Sequence, residues 1–185
     1  RQRIDAARAE NIAPRAANRL VQGDRSAYDN ARRVMRTELG RAHNKAFEEA
    51  SFQSPDVIGT KFELSPRHPR RDICDLHARA NRYGLGAGVY PKGRNPYPAH
   101  PNTLSFVQPV FEDEVTQDDE RNVEDPVSWL KNQPTDVQEG VLGGVAKRRA
   151  FEQGLIGEGQ IQTPWRVVRK KLERQGVPVE ELEAE

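Results

Sequence analysis

The longest regular pattern in the sequence is a helical repeat from about Ser26 to Ala50. Residues recur three or four positions apart along one face: Ala27, Ala31, Val34, Met35, Glu38, Ala42, Ala46 and Ala50. Alanine allows close packing of helices but buries little area per side chain. We therefore expect a long helix that depends on another chain or on a first helix, which is predicted from about Ile4 to Leu20 with a break at Pro14.

Two strands are predicted after this helix. Val57 to Leu64 is rich in β-branched and aromatic residues, with a bulge expected at Gly59, and Ser105 to Phe111 contains Pro109, which confines it to a sheet edge. Between them lie a short helix capped by Asp72 and an irregular loop rich in glycine, proline and tyrosine. The sequence thus predicts an α+β fold, with long Ala-rich helices packed on a small, partly irregular antiparallel sheet and a helical C-terminal extension.

Charge divides the chain more sharply than its overall balance suggests. Residues 1–100 carry 19 Lys and Arg against 11 Asp and Glu, a net charge of +8, whereas residues 101–140 carry 2 against 10, a net charge of −8. Within this acidic region, residues 112–125 include few apolar side chains, so we interpret them as a solvated linker. The predicted units are an N-terminal helical segment (1–23), a main domain (24–111), the acidic linker (112–125) and the C-terminal extension (126–185).

Helix-start signals organise the C-terminal extension. Asp125 followed by Pro126 predicts one helix, Thr135 with Gln138 predicts a capping box for a second helix that runs to Gly154, and Thr163 followed by Pro164 predicts a last helix. The last helix is expected to end at Gly176. Its predicted buried face consists of Trp165, Val168 and Leu172.

Composition excludes two classes of protein. No window holds the roughly 20 apolar residues of a membrane span, and a single cysteine cannot form an internal disulfide. These features favour a cytoplasmic setting. The chain begins at Arg1 and Met35 is its single methionine, which indicates a fragment or a processed product.

Metal-binding residue types are concentrated around Cys74. Cys74 and His77 have a spacing that can direct both side chains at one metal ion, and His100 with Asp72 or Asp75 could complete a zinc site. The alternative is a hydrogen-bonded polar core around a buried thiol.

Glu38 is the second candidate residue, because a carboxylate on the apolar stripe of a helix needs a partner. One interpretation is an ion pair with Arg41 or with a basic residue of the 67–71 loop. The other is a general base that faces His77 and His100 in a small hydrolase or nuclease site. The positive charge of the first hundred residues has two interpretations. It could form a nucleic-acid-binding module, or it could be an ordinary solvated surface.

The order of segments resembles the phage Mu F-like minor head protein family. The resemblance covers roughly residues 25–111, through ARRVMRTELGRAHNKA, VIGTKFELS, RRDICDLHA, YPAHPN and a strand ending in QPVF. In that family, this region is often followed by a tryptophan-containing helix, a proline and a helix with a Leu-Gly pair. A similar stretch follows here, DPVSWLKNQPTDVQEGVLGGVAKRRAFEQGLI. The family-like positions are Arg36, Thr37, Glu38, Asp72, Cys74, Asp75, His77, His100 and Pro101.

The resemblance implies a minor capsid protein rather than an enzyme, although Mu F-like domains are sometimes coupled to toxin or effector activities. Such a protein assembles in the host cytoplasm and lies inside the phage head in several copies. Its implied partners are the portal protein, other head proteins and packaged or ejected DNA, with no membrane. Family members commonly carry cysteine at the positions of His77, Thr103 and Ser105. Those thiols would be candidate metal ligands, and this chain lacks them. The resemblance therefore implies that this chain has no cofactor, with a bound zinc ion as the alternative.

Overall fold

The longest element of the fold is helix α1, Ala27–Ser51, whose bounds agree with the predicted helix. The computed structural model describes residues 27–101 and 103–184, so the predicted helix over residues 4–20 lies outside the described part. Only Asn44 of α1 is buried, whereas Val34, Met35 and Leu39 are 59%, 63% and 65% exposed. No residue of 27–101 or 103–184 thus covers the apolar stripe of α1. No described helix is long and apolar enough to cross a membrane.

A three-stranded antiparallel sheet follows α1, with β1 (Val57–Glu63) between β2 (Val89–Tyr90) and β3 (Phe106–Phe111). A register shift between Val57 and Gly59 confirms the predicted irregularity, and Pro109 lies on an edge strand as predicted. The sequence did not predict β2, which lies within the Gly/Pro loop and pairs with β1 through Thr60 and Lys61. Together with the helices, this sheet confirms the predicted α+β class.

Helix α2, Ile73–Arg79, begins with a capping box. Asp72 Oδ1 accepts a hydrogen bond from the Cys74 amide at 2.7 Å, and Asp75 Oδ2 accepts one from the Asp72 amide at 3.0 Å. These bonds satisfy amides that have no partner within the helix. The prediction that Asp72 caps this helix is confirmed.

The acidic segment contains two short helical turns. Residues 112–114 form a 3-10 turn, and helix α3, Gln117–Arg121, is capped by Thr116. Asn81 Nδ2 donates to the carbonyl oxygens of Asp119 at 2.6 Å and Asn122 at 3.1 Å. The side chains of this segment are mostly exposed, but its backbone is held against the loop that follows α2.

Six helices complete the described chain: α4 (Pro126–Lys131), α5 (Thr135–Leu142), α6 (Val145–Glu152), α7 (Glu158–Ile161), α8 (Trp165–Arg174) and α9 (Val179–Glu183). Asp125 caps α4 as predicted. The single helix predicted from Thr135 to Gly154 is wrong, because Gly143 and Gly144 adopt φ of 83° and 142° and separate α5 from α6. Pro134 and Pro164 occupy the N-cap positions that we predicted for Thr135 and Thr163.

Two hydrophobic clusters meet at α2. The larger one contains mostly residues of the C-terminal helices: Trp129, Leu130, Val137, Val141, Leu142, Ala150, Phe151, Ile156, Ile161, Val168, Leu172, Val179 and Leu182. Leu76 and Ala80 belong to this cluster, whereas Cys74 and Ala78 belong to a smaller cluster at the sheet. The segment predicted as an extension therefore contains most of the larger core and shares it with α2.

Gly140 gives a test of the contact between α5 and the chain that precedes α2. A Cβ at Gly140 would lie 2.4 Å from Arg71 Cβ and 2.6 Å from the Arg71 carbonyl oxygen. We expect Gly140→Ala to lower the free energy of unfolding by about 1–3 kcal/mol in urea denaturation, because backbone must move to admit the methyl group. This loss should exceed the roughly 1 kcal/mol that alanine gains over glycine in a helix.

Gly159→Ala is the matched control. Gly159 lies in helix α7, and a Cβ there would meet no atom within 4 Å. We expect this substitution to be neutral or slightly stabilising. Equal effects of the two substitutions would contradict close packing of α5 on Arg71.

Candidate functional site

A fully buried carboxylate, that of Asp75, lies in the first turn of α2. Its Oδ1 accepts from Arg71 Nη1 at 3.0 Å, and its Oδ2 accepts from the Asp72 amide at 3.0 Å. His68 Nε2 lies 3.3 Å from Oδ2, and Arg79 Nη2 lies 3.6 Å from Oδ1. A buried charge is tolerated where partners surround it in this way. We therefore assign Asp75 a structural role in fixing the start of α2.

Cys74, one residue earlier, points into a second polar group. Its Sγ lies 3.2 Å from His100 Nε2 and 3.6 Å from Thr103 Oγ1. His100 Nε2 also lies 3.2 Å from Asp72 Oδ2. Burial raises the pKa of the Cys74 thiol to about 11, so the unliganded group is a thiol at neutral pH.

His77 lies apart from this group, in contrast to the predicted four-ligand set of Cys74, His77, His100 and Asp72. Its ring centroid lies 5.7 Å from that of Phe62 and 6.5 Å from that of Tyr90. Gln162 Nε2 lies 2.8 Å from His77 Nε2, which therefore serves as the acceptor. The aromatic pocket and this amide hold the imidazole away from Cys74, so the described structure brings together three of the four predicted ligands.

Burial also changes the protonation of His77. It lowers the pKa of the imidazole to about 4, with a smaller contribution in the same direction from Arg82. His77 is therefore neutral at physiological pH. A neutral imidazole fits a side chain that accepts a hydrogen bond on one nitrogen and lies 3.4 Å from the Tyr90 hydroxyl on the other.

Glu38 does not join the histidines. Its side chain is 57% exposed, and its carboxylate pairs with Arg41 Nη1 at 2.8 Å, which confirms the first of the two interpretations considered above. The groove between α1 and His100 is lined on the helix side by three other residues: Arg36, Thr37 and Gly40. The structure thus leaves Glu38, His77 and His100 in separate environments instead of one cleft.

Lys147 in α6 is a buried residue that the sequence analysis missed. It is 3% exposed, and its Nζ donates to the carbonyl oxygens of Ile161 and of Thr163, the latter at 2.7 Å. Burial lowers the pKa of this ammonium group to about 8. No sequence signal separates it from its neighbours Arg148 and Arg149, because the turn that it binds lies about 15 residues further along the chain.

A groove of about 700 Å³ makes the polar group reachable from solvent. It runs between the start of α2, the His100 loop and the C-terminal helices, and Asp72, His100, Lys147 and Gln162 are among its lining residues. The side chains of Asp72 and His100 are 24% and 34% exposed. Nitrogen and oxygen donors therefore lie at the edge of an open groove, and the buried Cys74 sulfur lies 3.2 Å from His100 Nε2. This arrangement can form hydrogen bonds or bind a metal ion.

The buried imidazole of His77 makes stability depend on pH. Its folded-state pKa of about 4 lies below its ordinary value of 6.5, so the unfolded chain binds a proton between these values and the folded chain does not. We expect the free energy of unfolding to fall by up to about 3 kcal/mol from this residue as pH decreases through that window. Urea denaturation at a series of pH values measures the change.

His77→Gln should remove this part of the pH dependence, since glutamine does not titrate. His43→Gln is the matched control, because His43 is exposed on α1. We expect the control to retain the wild-type slope. Identical slopes for wild type and His77→Gln would exclude the buried neutral imidazole as the cause.

The predicted site residues therefore occupy three environments. Asp72, Cys74 and His100 form one group, and the Pro101 carbonyl oxygen lies 2.9 Å from His100 Nδ1. Asp75 and His77 are buried elsewhere around α2, and the three family-like residues of α1 lie on that helix. Comparison of the chain with protein-family models, with curated proteins and with solved structures finds no match.

Proposed function

We propose that this chain is a Mu F-like minor head protein of a tailed bacteriophage, which binds the portal vertex inside the head. The observation that carries the proposal is the position of the family's cysteine sites. Thr103 and Ser105 stand where relatives commonly carry cysteine, and both hydroxyl groups lie beside the Cys74 thiol. Ser105 is buried, so its hydroxyl is enclosed beside the sulfur.

The closeness of Thr103 and Ser105 to Cys74 supports the proposal, because it is independent of the resemblance. The resemblance was drawn only from the order of residues along the chain, without any knowledge of which residues lie together in space. Thr103 is 29 residues from Cys74 in sequence, yet its hydroxyl lies 3.6 Å from the sulfur. Positions that share a residue type in a family for a common structural reason are expected to lie together in space. His77 is the exception, since its side chain belongs to the neighbouring aromatic pocket.

Helix α1 offers a surface for the portal protein or another head protein. Four large apolar side chains on it are more than half exposed: Tyr28, Val34, Met35 and Leu39. Exposed apolar residues grouped on one element mark sites of protein interaction, and an amphipathic helix can bind in a groove of its partner. Several copies of the chain around the portal would each present this helix.

Contact with packaged or ejected DNA is the second part of the proposed role. The net charge of +8 over residues 1–100 favours binding to the phosphate groups of DNA, whereas the acidic segment over residues 112–125 repels them.

A hydrolase or nuclease based on Glu38, His77 and His100 has no comparable support, because those side chains do not meet.

Native mass spectrometry with the portal protein encoded in the same genome tests the proposal. We expect a complex of defined stoichiometry between the portal ring and several copies of this chain. Absence of any complex, with both proteins folded, would contradict the proposed function.

Surface variants locate the contact. We expect Met35→Asp with Leu39→Asp to lower the portal affinity by at least about tenfold, because two apolar contacts would be replaced by charges. Val167→Asp is the matched control, since Val167 is 49% exposed on α8. If the control weakens binding and the α1 variant does not, the proposed surface is wrong while the proposed partner stands.

A further inference from the structure

Three different donor atoms converge where the start of α2 meets the loop before β3. The Asp72 carboxylate, the Cys74 sulfur and the His100 imidazole offer one ligand atom each, all within 4.8 Å of one another. Zinc binds such donors at about 2.0–2.3 Å, so neighbouring ligands of a tetrahedral ion lie about 3.3–3.6 Å apart. The separations of 3.2 Å from Cys74 Sγ to His100 Nε2 and from His100 Nε2 to Asp72 Oδ2 are close to that requirement.

His100 and Asp72 are each oriented by a hydrogen bond to the backbone. His100 Nδ1 lies 2.9 Å from the Pro101 carbonyl oxygen, which accepts its proton and leaves the Nε2 lone pair directed at Cys74 and Asp72. Asp72 Oδ1 accepts from the Cys74 amide at 2.7 Å, which leaves Oδ2 directed at His100. Metal-binding histidines and carboxylates are commonly held by outer contacts of this kind.

The neutral form of His100 leaves two acceptors facing each other. With its Nδ1 proton donated to Pro101 and no second proton on the ring, His100 Nε2 and Asp72 Oδ2 are both acceptors 3.2 Å apart. The thiol proton of Cys74 can satisfy one of them but not both, whereas either a proton on Nε2 or a bound cation would satisfy both. A divalent ion would accept a lone pair from each of the three groups.

The neighbouring acidic group is a poorer cation site. His68, Asp72 and Asp75 also place donor atoms close together. However, the Asp75 carboxylate is already paired with Arg71 and approached by Arg79, whose positive charges would repel a metal ion. The Cys74 sulfur has no ion pair, and a thiolate is a strong zinc ligand.

We propose that Asp72, Cys74 and His100 bind one Zn²⁺ ion. On binding, Cys74 releases its thiol proton to solvent and the sulfur forms a bond to the metal, while His100 binds through neutral Nε2 and Asp72 through Oδ2. The partial exposure of Asp72 and His100 gives the ion a path from the groove and leaves a fourth position for water or another small ligand. The ion would fasten His100 to the first turn of α2.

This site does not depend on the proposed head function, since a structural metal would serve any protein with this fold. It also differs from the set predicted from sequence, because His77 is excluded. The expected coordination is three protein ligands instead of four.

Cobalt(II) titration of the reduced, metal-free full chain tests the site. We expect one Co²⁺ per chain, with a thiolate-to-cobalt charge-transfer band and the visible absorption of tetrahedral cobalt. Zn²⁺ should displace the cobalt and abolish both signals, and native mass spectrometry should show one added zinc ion per chain. Absence of the thiolate band in the wild-type chain would overturn the proposal.

Variants assign the ligands. Cys74→Ser should abolish the charge-transfer band, and His100→Ala should weaken zinc binding by at least about tenfold. Asp72→Asn should also weaken binding while it keeps the helix cap, because asparagine caps as well as aspartate does. Far-UV circular dichroism identifies variants that remain folded, and His100→Ala decides the question if Cys74→Ser unfolds.

His77→Gln is the control for the ligand set, since His77 lies outside the group. We expect its zinc affinity to match that of the wild type. Unchanged affinity in folded His100→Ala, or lost affinity in folded His77→Gln, would overturn the assignment.

Discussion

Burial of the Asp75 carboxylate is the constraint on which the rest of the structure depends. A buried charge without partners costs several kcal/mol, so the chain on either side must supply them. Arg71 comes from the segment before α2 and Arg79 from its last turn, while His68 completes the surroundings from further upstream. This arrangement folds the 67–72 segment back over the helix start and places Asp72 as the N-cap, with its second oxygen directed at His100.

Helix α2 and its C-cap residue connect a large hydrophobic cluster with a small one. Leu76 and Ala80 face the core of the C-terminal helices, whereas Cys74 and Ala78 face the sheet. Because this short helix and its C-cap residue Ala80 supply both faces, the C-terminal helices cannot be removed without exposing one side of α2. The hydrogen bond between Gln162 and His77 couples the same helix to the turn before α8.

Features encoded by neighbouring residues could be predicted from the sequence, and features that depend on distant contacts could not. The Asp72 cap, the edge position of Pro109 and the Asp125 cap each follow from a short local pattern. Strand β2 has only two residues and exists because it pairs with β1, so no periodicity could reveal it. The split between α5 and α6 was missed because the helical pattern continues across Gly143.

The site shows the same division between local and distant information. Spacing along the chain grouped Cys74 with His77, because residues three apart on a helix are neighbours on its surface, whereas the structure groups Cys74 with Asp72 and His100. Contacts with distant residues decide which of the two side chains faces the His100 loop. Phe62, Tyr90 and Gln162 surround His77 and keep it away from that loop. The position of the site thus follows from the topology, which brings the loop before β3 to the start of α2. Its chemistry follows from the side chains that the loop and the helix start present there, namely a thiol, an imidazole, a carboxylate and the Thr103 hydroxyl.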